Sequence, residues 1–155
     1  MVVRFEAFTL GLSQITSAWN KIATEELKPF GLKGAYIVYL IALYKSEEGL
    51  TSVKLCELCN KDKAEVSRAV CALEKKGMVV REKVTANAYR ARIKLTVEGK
   101  KITCALRERI KLAVEQGGRG LTEEERDHFY FGLETIAKNL TGICREGLVA
   151  DQNQE

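Results

Sequence analysis

The chain has 155 residues, 46% hydrophobic and 30% charged, with one proline, five cysteines and a net charge of +4. That length suits one compact domain, or a small domain with an added oligomerisation element, and the composition excludes a disordered chain or a disulfide framework. The most apolar run, residues 35–44, is about half of the ~20 residues a membrane span needs, and Arg4 and Glu6 stand where a secretory signal would be apolar, so the expected location is the cytoplasm.

Phe5, Phe8, Leu12, Ile15, Trp19 and Ile22 recur at spacings of 3, 4, 3, 4 and 3, which predicts one long helix over about residues 3–27, closed by Pro29 and Gly31. So regular a seam can pack on its own core or on a partner, and in so small a chain both are expected. A second helix, about 34–45, is apolar on nearly every side and should be central. Thr51 caps a short helix carrying Val53, Leu55, Cys56, Leu58 and Cys59 and ending at Asn60 and Lys61. Asp62, with Glu65 three positions on, then starts another whose apolar stripe is Val66, Ala69, Val70 and Leu73 and whose stop is Gly77. Two short helices around a tight turn, the second amphipathic, make a helix-turn-helix pattern.

From Met78 the period changes. Residues 79–84 and 89–95 are β-prone, and the second run alternates Tyr89, Ala91, Ile93 and Leu95 with Arg90, Arg92 and Lys94, a half-buried strand with a basic outer face. Residues 85–88 lack an Asn-Gly type turn, which predicts a longer loop. Thr96 caps a helix to about Glu115, and the glycines at 117, 118 and 120 break it. Thr122 and Glu125 form a capping box for a last helix whose Phe129, Leu133, Ile136, Ala137, Leu140 and Cys144 share a face.

Charge is uneven along the chain. Residues 61–101 carry +7, while the segments before and after carry 0 and −3, the footprint of a surface that meets a polyanion. The stretch from Leu50 to Val80 resembles the winged helix-turn-helix core of the MarR family. Val70 to Gly77 is similar to that family's Leu-x-x-Leu-Glu-Lys-Lys-Gly ending, and Leu95 to Gly99 to its Leu-Thr-x-x-Gly. Gly31-Leu32, the apolar helix after it and the long terminal helices extend the similarity over nearly the whole chain. The resemblance implies a mostly α fold with a small β-hairpin wing, a homodimer joined through the terminal helices, and ligand control through a pocket between the dimer region and the DNA-binding lobe. It divides the chain into a dimerisation region (1–32 and 103–148), a DNA-binding region (33–102) and a tail (149–155). One departure is plain: the family's wing Asp-x-Arg is here Asn87 and Tyr89, so Arg90 or Arg92 would take the arginine's place.

The implied function is a transcriptional regulator acting on double-stranded DNA, in the family's commoner mode a repressor on a pseudo-palindromic operator. Outward positions of the second helix of the pair are Lys63, Ala64, Ser67, Arg68, Cys71 and Lys75. Arg68 is the candidate for a bidentate guanine contact and Ser67 for a phosphate or base hydrogen bond. Arg90, Arg92 and Lys94 are candidates for minor groove or phosphate, or form a solvated strand face; Lys54 would contribute at most a phosphate contact. Trp19, Tyr36 and Tyr39 either line a pocket for a small aromatic effector or pack in the core. Cys56 and Cys59 read as buried structural thiols, as oxidant sensors or as a metal site, and Cys71 as an exposed, more reactive thiol. A zinc centre lacks ligands, since the chain has one histidine, His128, and no metal or cofactor is expected. An enzyme is disfavoured because the glycines follow a helix and cradle no phosphate. A protein-contact module without DNA binding and a thiol-based redox regulator stay as alternatives.

Overall fold

The computed structural model describes residues 3–83 and 91–148. The chain forms two compact bodies, Met1–Lys111 and Leu112–Glu155.

In the first body, α1 (Arg4–Leu27) runs into a 3-10 turn, Lys28–Phe30, that contains Pro29. Gly31 then adopts φ 63°, a left-handed conformation that ends the helix at no steric cost. A second 3-10 turn (Gly34–Tyr36) leads into α2 (Ile37–Tyr44). Gly34 lies so close to α1 that a Cβ there would meet Thr24 Oγ1 at 2.5 Å and the Thr24 amide nitrogen at 2.8 Å. α3 (Ser52–Cys59) starts where Thr51 Oγ1 accepts the Lys54 amide, and it ends at Asn60, whose φ of 49° turns the chain. α4 (Lys63–Lys75) follows at once, capped by Asp62 Oδ1 accepting the Glu65 amide at 2.8 Å. The reciprocal half of that box does not form, because the Glu65 carboxylate pairs with Lys61 Nζ at 3.4 Å. Asp62 pays for the cap in acidity: the Glu65 amide, then the Ala64 amide and the Arg68 guanidinium, hold its carboxyl below the usual range.

β1 (Val79–Glu82) and β2 (Arg92–Leu95) pair antiparallel, Val79 opposite Leu95 and Glu82 opposite Arg92. Both strands are shorter than the β-prone runs. Leu50 adds a bridge outside the hairpin, exchanging hydrogen bonds with Ile93 at 3.0 and 2.8 Å. The expected loop at 85–88 and the tail at 149–155 lie outside the described residues.

α5 (Val97–Gly117) begins at a tight joint. Thr96 Oγ1 donates to the Gly77 carbonyl at 2.6 Å and accepts the Gly99 amide at 3.0 Å, and a side chain at Gly99 would overlap the Met78 carbonyl. The core gathers Leu27, Leu40, Leu43, Leu55, Val70, Leu73, Met78 and Ile93, each at most 2% exposed, with Thr103 and Leu106 of α5. Each such aliphatic contributes about 1.5–3 kcal/mol by leaving water. The stripe Val66, Ala69, Val70 and Leu73 is buried as its spacing requires.

Two expectations need correction. α1 puts only Ala23 and Leu27 into this core; Phe5, Phe8, Leu12, Ile15 and Ile22 are 39–70% exposed, so the seam does not pack on its own body. α2 is not enclosed either: Ile37, Tyr39, Leu40 and Leu43 are buried, but Val38 is 40% exposed. Apolar content therefore overstated burial, because these faces stay open in a single chain.

The second body holds the end of α5 and α6 (Glu123–Glu146). The Thr122–Glu125 capping box forms in both directions, and Arg126 ties the preceding turn, donating to Glu115 at 2.7 Å and to the Gly118 carbonyl at 3.1 Å. No α6 residue is buried, and Phe129, Leu133, Ile136 and Leu140 are 42–47% exposed.

Candidate nucleic-acid interface

α4 is a two-sided rod. One side enters the core; on the other, Lys63, Ala64, Ser67, Arg68, Cys71 and Lys75 are all exposed. This division follows from period 3.6 and from Asp62 fixing the first turn, so the outward residues stand in one row along the helix. Lys63, Arg68 and Lys75 make no salt bridge among the described residues and are available to an anion. Arg81 Nε reaches Glu74 Oε2 at 3.0 Å and so links α4 to β1.

The remaining candidate cations are already engaged. Lys94 Nζ pairs with Glu82 at 2.7 Å across the hairpin, Arg92 donates to the Gly49 carbonyl at 3.3 Å, and Lys54 pairs with Glu57 at 2.9 Å. The basic strand face is thus not an open row of charges: a contact to phosphate would have to compete with Glu82 for Lys94. Arg90, Asn87 and Tyr89 lie outside the described residues.

Within the first body an open groove of about 830 Å³ runs between helices. Its walls are apolar, from Trp19 of α1, Ile37, Val38 and Ile41 of α2, Leu50, Leu58 of α3 and Ile110 of α5, while Lys45, Arg107, Glu108 and Lys111 stand in its lining. Arg107 is steadied over the Tyr44 ring, 4.3 Å from its centroid. Trp19 lines this groove. Tyr36 and Tyr39 are not on the groove: Tyr39 is 3% exposed in the core, its ring 6.4 Å from that of Tyr36, and burial followed by the nearby Cys59 pushes its phenol up to about 12. The α5 residues are the part sequence reading missed; Arg107, Ile110 and Lys111 at helical spacing were the available signal.

Cys56 and Cys59 are half-buried and Cys71 is exposed. Burial, then the neighbouring Cys56, pushes the Cys59 thiol up to about 11, so it stays protonated at neutral pH. Among the described residues no group of three or more His, Cys, Asp or Glu side chains could hold a metal ion, and no helix is long and apolar enough to cross a membrane.

Residues 30–88, which span α2, α3, α4 and the first strand, match the sequence model of the MarR family. That stretch of the chain resembles the MarR family. The chain is 26% identical over 129 residues to the HTH-type transcriptional regulator YybA of Bacillus subtilis, covering 83% of this chain and 85% of that protein. Its fold is similar to that of a MarR-family transcriptional regulator from Listeria monocytogenes crystallised with a 26mer DNA, at a TM-score of 0.81 and 20% identity over 92% of this chain and 97% of that one. It is also similar to CouR from Rhodococcus jostii RHA1, solved with p-coumaroyl-CoA, at a TM-score of 0.77 and 20% identity over 88% and 96% of the two chains. The chain thus has a winged helix-turn-helix fold, similar to that of these MarR-family transcriptional regulators.

Proposed function

We propose that this chain is a MarR-family transcriptional regulator, a homodimeric, ligand-responsive repressor that lays α4 into the major groove of each half of a pseudo-palindromic operator in the cytoplasm. The observation that carries the reading is the exposed row Lys63, Ser67, Arg68 and Lys75 on a helix whose other face is locked into the core. Such a helix presents cations and hydrogen-bonding groups to a polyanion without deforming the fold. The Listeria relative's crystallisation with DNA supports it. In this reading residues 33–102 bind DNA, with Arg92, Lys94 and Lys54 in supporting phosphate contacts and Arg90 at the wing, while 1–32 and 103–148 join the subunits and 149–155 form a tail.

The test is fluorescence anisotropy with the intergenic DNA upstream of the protein's own gene, against scrambled DNA, over a salt series. A specific complex at about 10⁻⁸ M or tighter, two chains per site and a steep fall with salt are expected. Equal, weak binding to both DNAs would refute sequence-specific recognition of that site.

Ligand control rests on the groove, whose apolar walls and basic groups suit a small aromatic anion; CouR was solved with an aromatic acyl-CoA. Trp19 is the chain's sole tryptophan and lines the groove, so its emission reports occupancy directly. An effector is expected to shift Trp19 emission and to weaken DNA binding over the same concentration range, because only a ligand that prefers one state moves the equilibrium. DNA release with unchanged Trp19 emission would place the effector elsewhere.

A further inference from the structure

Cys56 and Cys59 are not used by the regulator reading. Three residues apart on α3, they share one helical face, and both pack half-buried against the core. Cys56 adds to the upward push on the Cys59 thiol, and both thiols add to that on the buried Tyr39 phenol. The backbone there is well defined: the Cys56 carbonyl accepts the Lys61 amide at 3.0 Å, closing α3 one residue before Asp62 caps α4.

The chemistry of this pair is narrow. Cys59, whose thiol stays protonated at neutral pH, is a slow target for peroxide. Zinc would need about four ligands, and no third side chain of the usual kind joins the pair among the described residues. A softer centre needs fewer partners and binds thiolate strongly enough to displace the proton.

We propose that Cys56 and Cys59 form a dithiol site for a soft, thiophilic centre, either a univalent d10 cation or a trivalent arsenical, at the turn that leads into the recognition helix. With cuprous ion, two S–Cu bonds form, two thiol protons leave and no electron is transferred. With an aryl arsenoxide, two S–As bonds replace the arsenic–oxygen bond, and the two thiol protons leave with that oxygen as one water.

The test uses the full-length, reduced chain with the exposed thiols removed (C71S/C104S/C144S), titrated without oxygen either with phenylarsine oxide or with cuprous ion held by a chromogenic competitor. Native mass spectrometry should give one arsenical or one copper per chain; uptake of only one of the two identifies which kind of centre the site takes. Adding Cys56→Ser or Cys59→Ser should weaken uptake by about 100-fold, the loss expected when chelation becomes single attachment. Circular dichroism confirms that these chains fold, and peptide mapping of the adduct on the wild-type chain gives the same answer if a variant does not. Absence of uptake in the parent chain, uptake that survives either single replacement, or an adduct mapped to other cysteines would overturn the proposal.

Discussion

An Ile15→Asp chain is expected to sediment as a 17.3 kDa monomer under conditions where the wild type is a dimer. Ile15 sits mid-seam on α1, 59% exposed in the single chain, between Leu12 and Trp19. Six large apolar residues of α1 and seven of α6 are exposed in this way, more than a lone soluble chain ordinarily leaves in water. A second copy of the chain is the partner that covers them in the dimer reading. In a twofold interface each substitution occurs twice, so a carboxylate worth about 2 kcal/mol per copy weakens association by about 4 kcal/mol, roughly a thousandfold. Because the α1 seam is not part of its own body's core, far-UV circular dichroism should change little. Leu133→Asp tests the α6 face separately. A dimer that persists in both chains would remove these seams from the interface.

The second large effect is on DNA. Arg68→Ala should lower operator affinity by about 1–3 kcal/mol per half-site, roughly 5- to 150-fold, and relax the preference at one base pair. Arg68 is exposed, makes no salt bridge among the described residues and touches no core position, so thermal stability should be nearly unchanged. Lys75→Ala should instead weaken binding to all sequences and flatten the salt dependence, the signature of a phosphate contact. If Arg68→Ala binds operator and scrambled DNA just as the wild type does, Arg68 reads no base.

The caps were legible in the sequence because they are local. Thr51, Asp62, Thr96 and Thr122 each satisfy the amide three residues on, so a stretch of four residues holds the whole interaction. The α4 stripe was legible for a similar reason: one helix period decides which residues face in. The groove was not, since its walls come from α1, α2, α3 and α5, far apart in the chain, and periodicity cannot say which faces meet. For the same reason Tyr39 could be assigned to the core or to the pocket until its neighbours were known. Alternation correctly put Ile93 inside and Arg92 and Lys94 outside, but the bonds that restrain those cations depend on Glu82 and the Gly49 carbonyl across the fold. The seams of α1 and α6 were read as regular faces, yet no pattern within one chain states whether the matching surface is its own or a neighbour's.

The joint at Gly99 has a mechanical consequence. The first turn of α5 lies on the Met78 carbonyl with no room for even a methyl group, and Thr96 is bonded to Gly77, the residue at which α4 stops. Two to three turns further along the same helix, Arg107, Ile110 and Lys111 form one bank of the groove. In the ligand-responsive reading, a molecule wedged into the groove would push on a lever whose other end has no backlash, so that displacement of α5 would be passed to the end of α4.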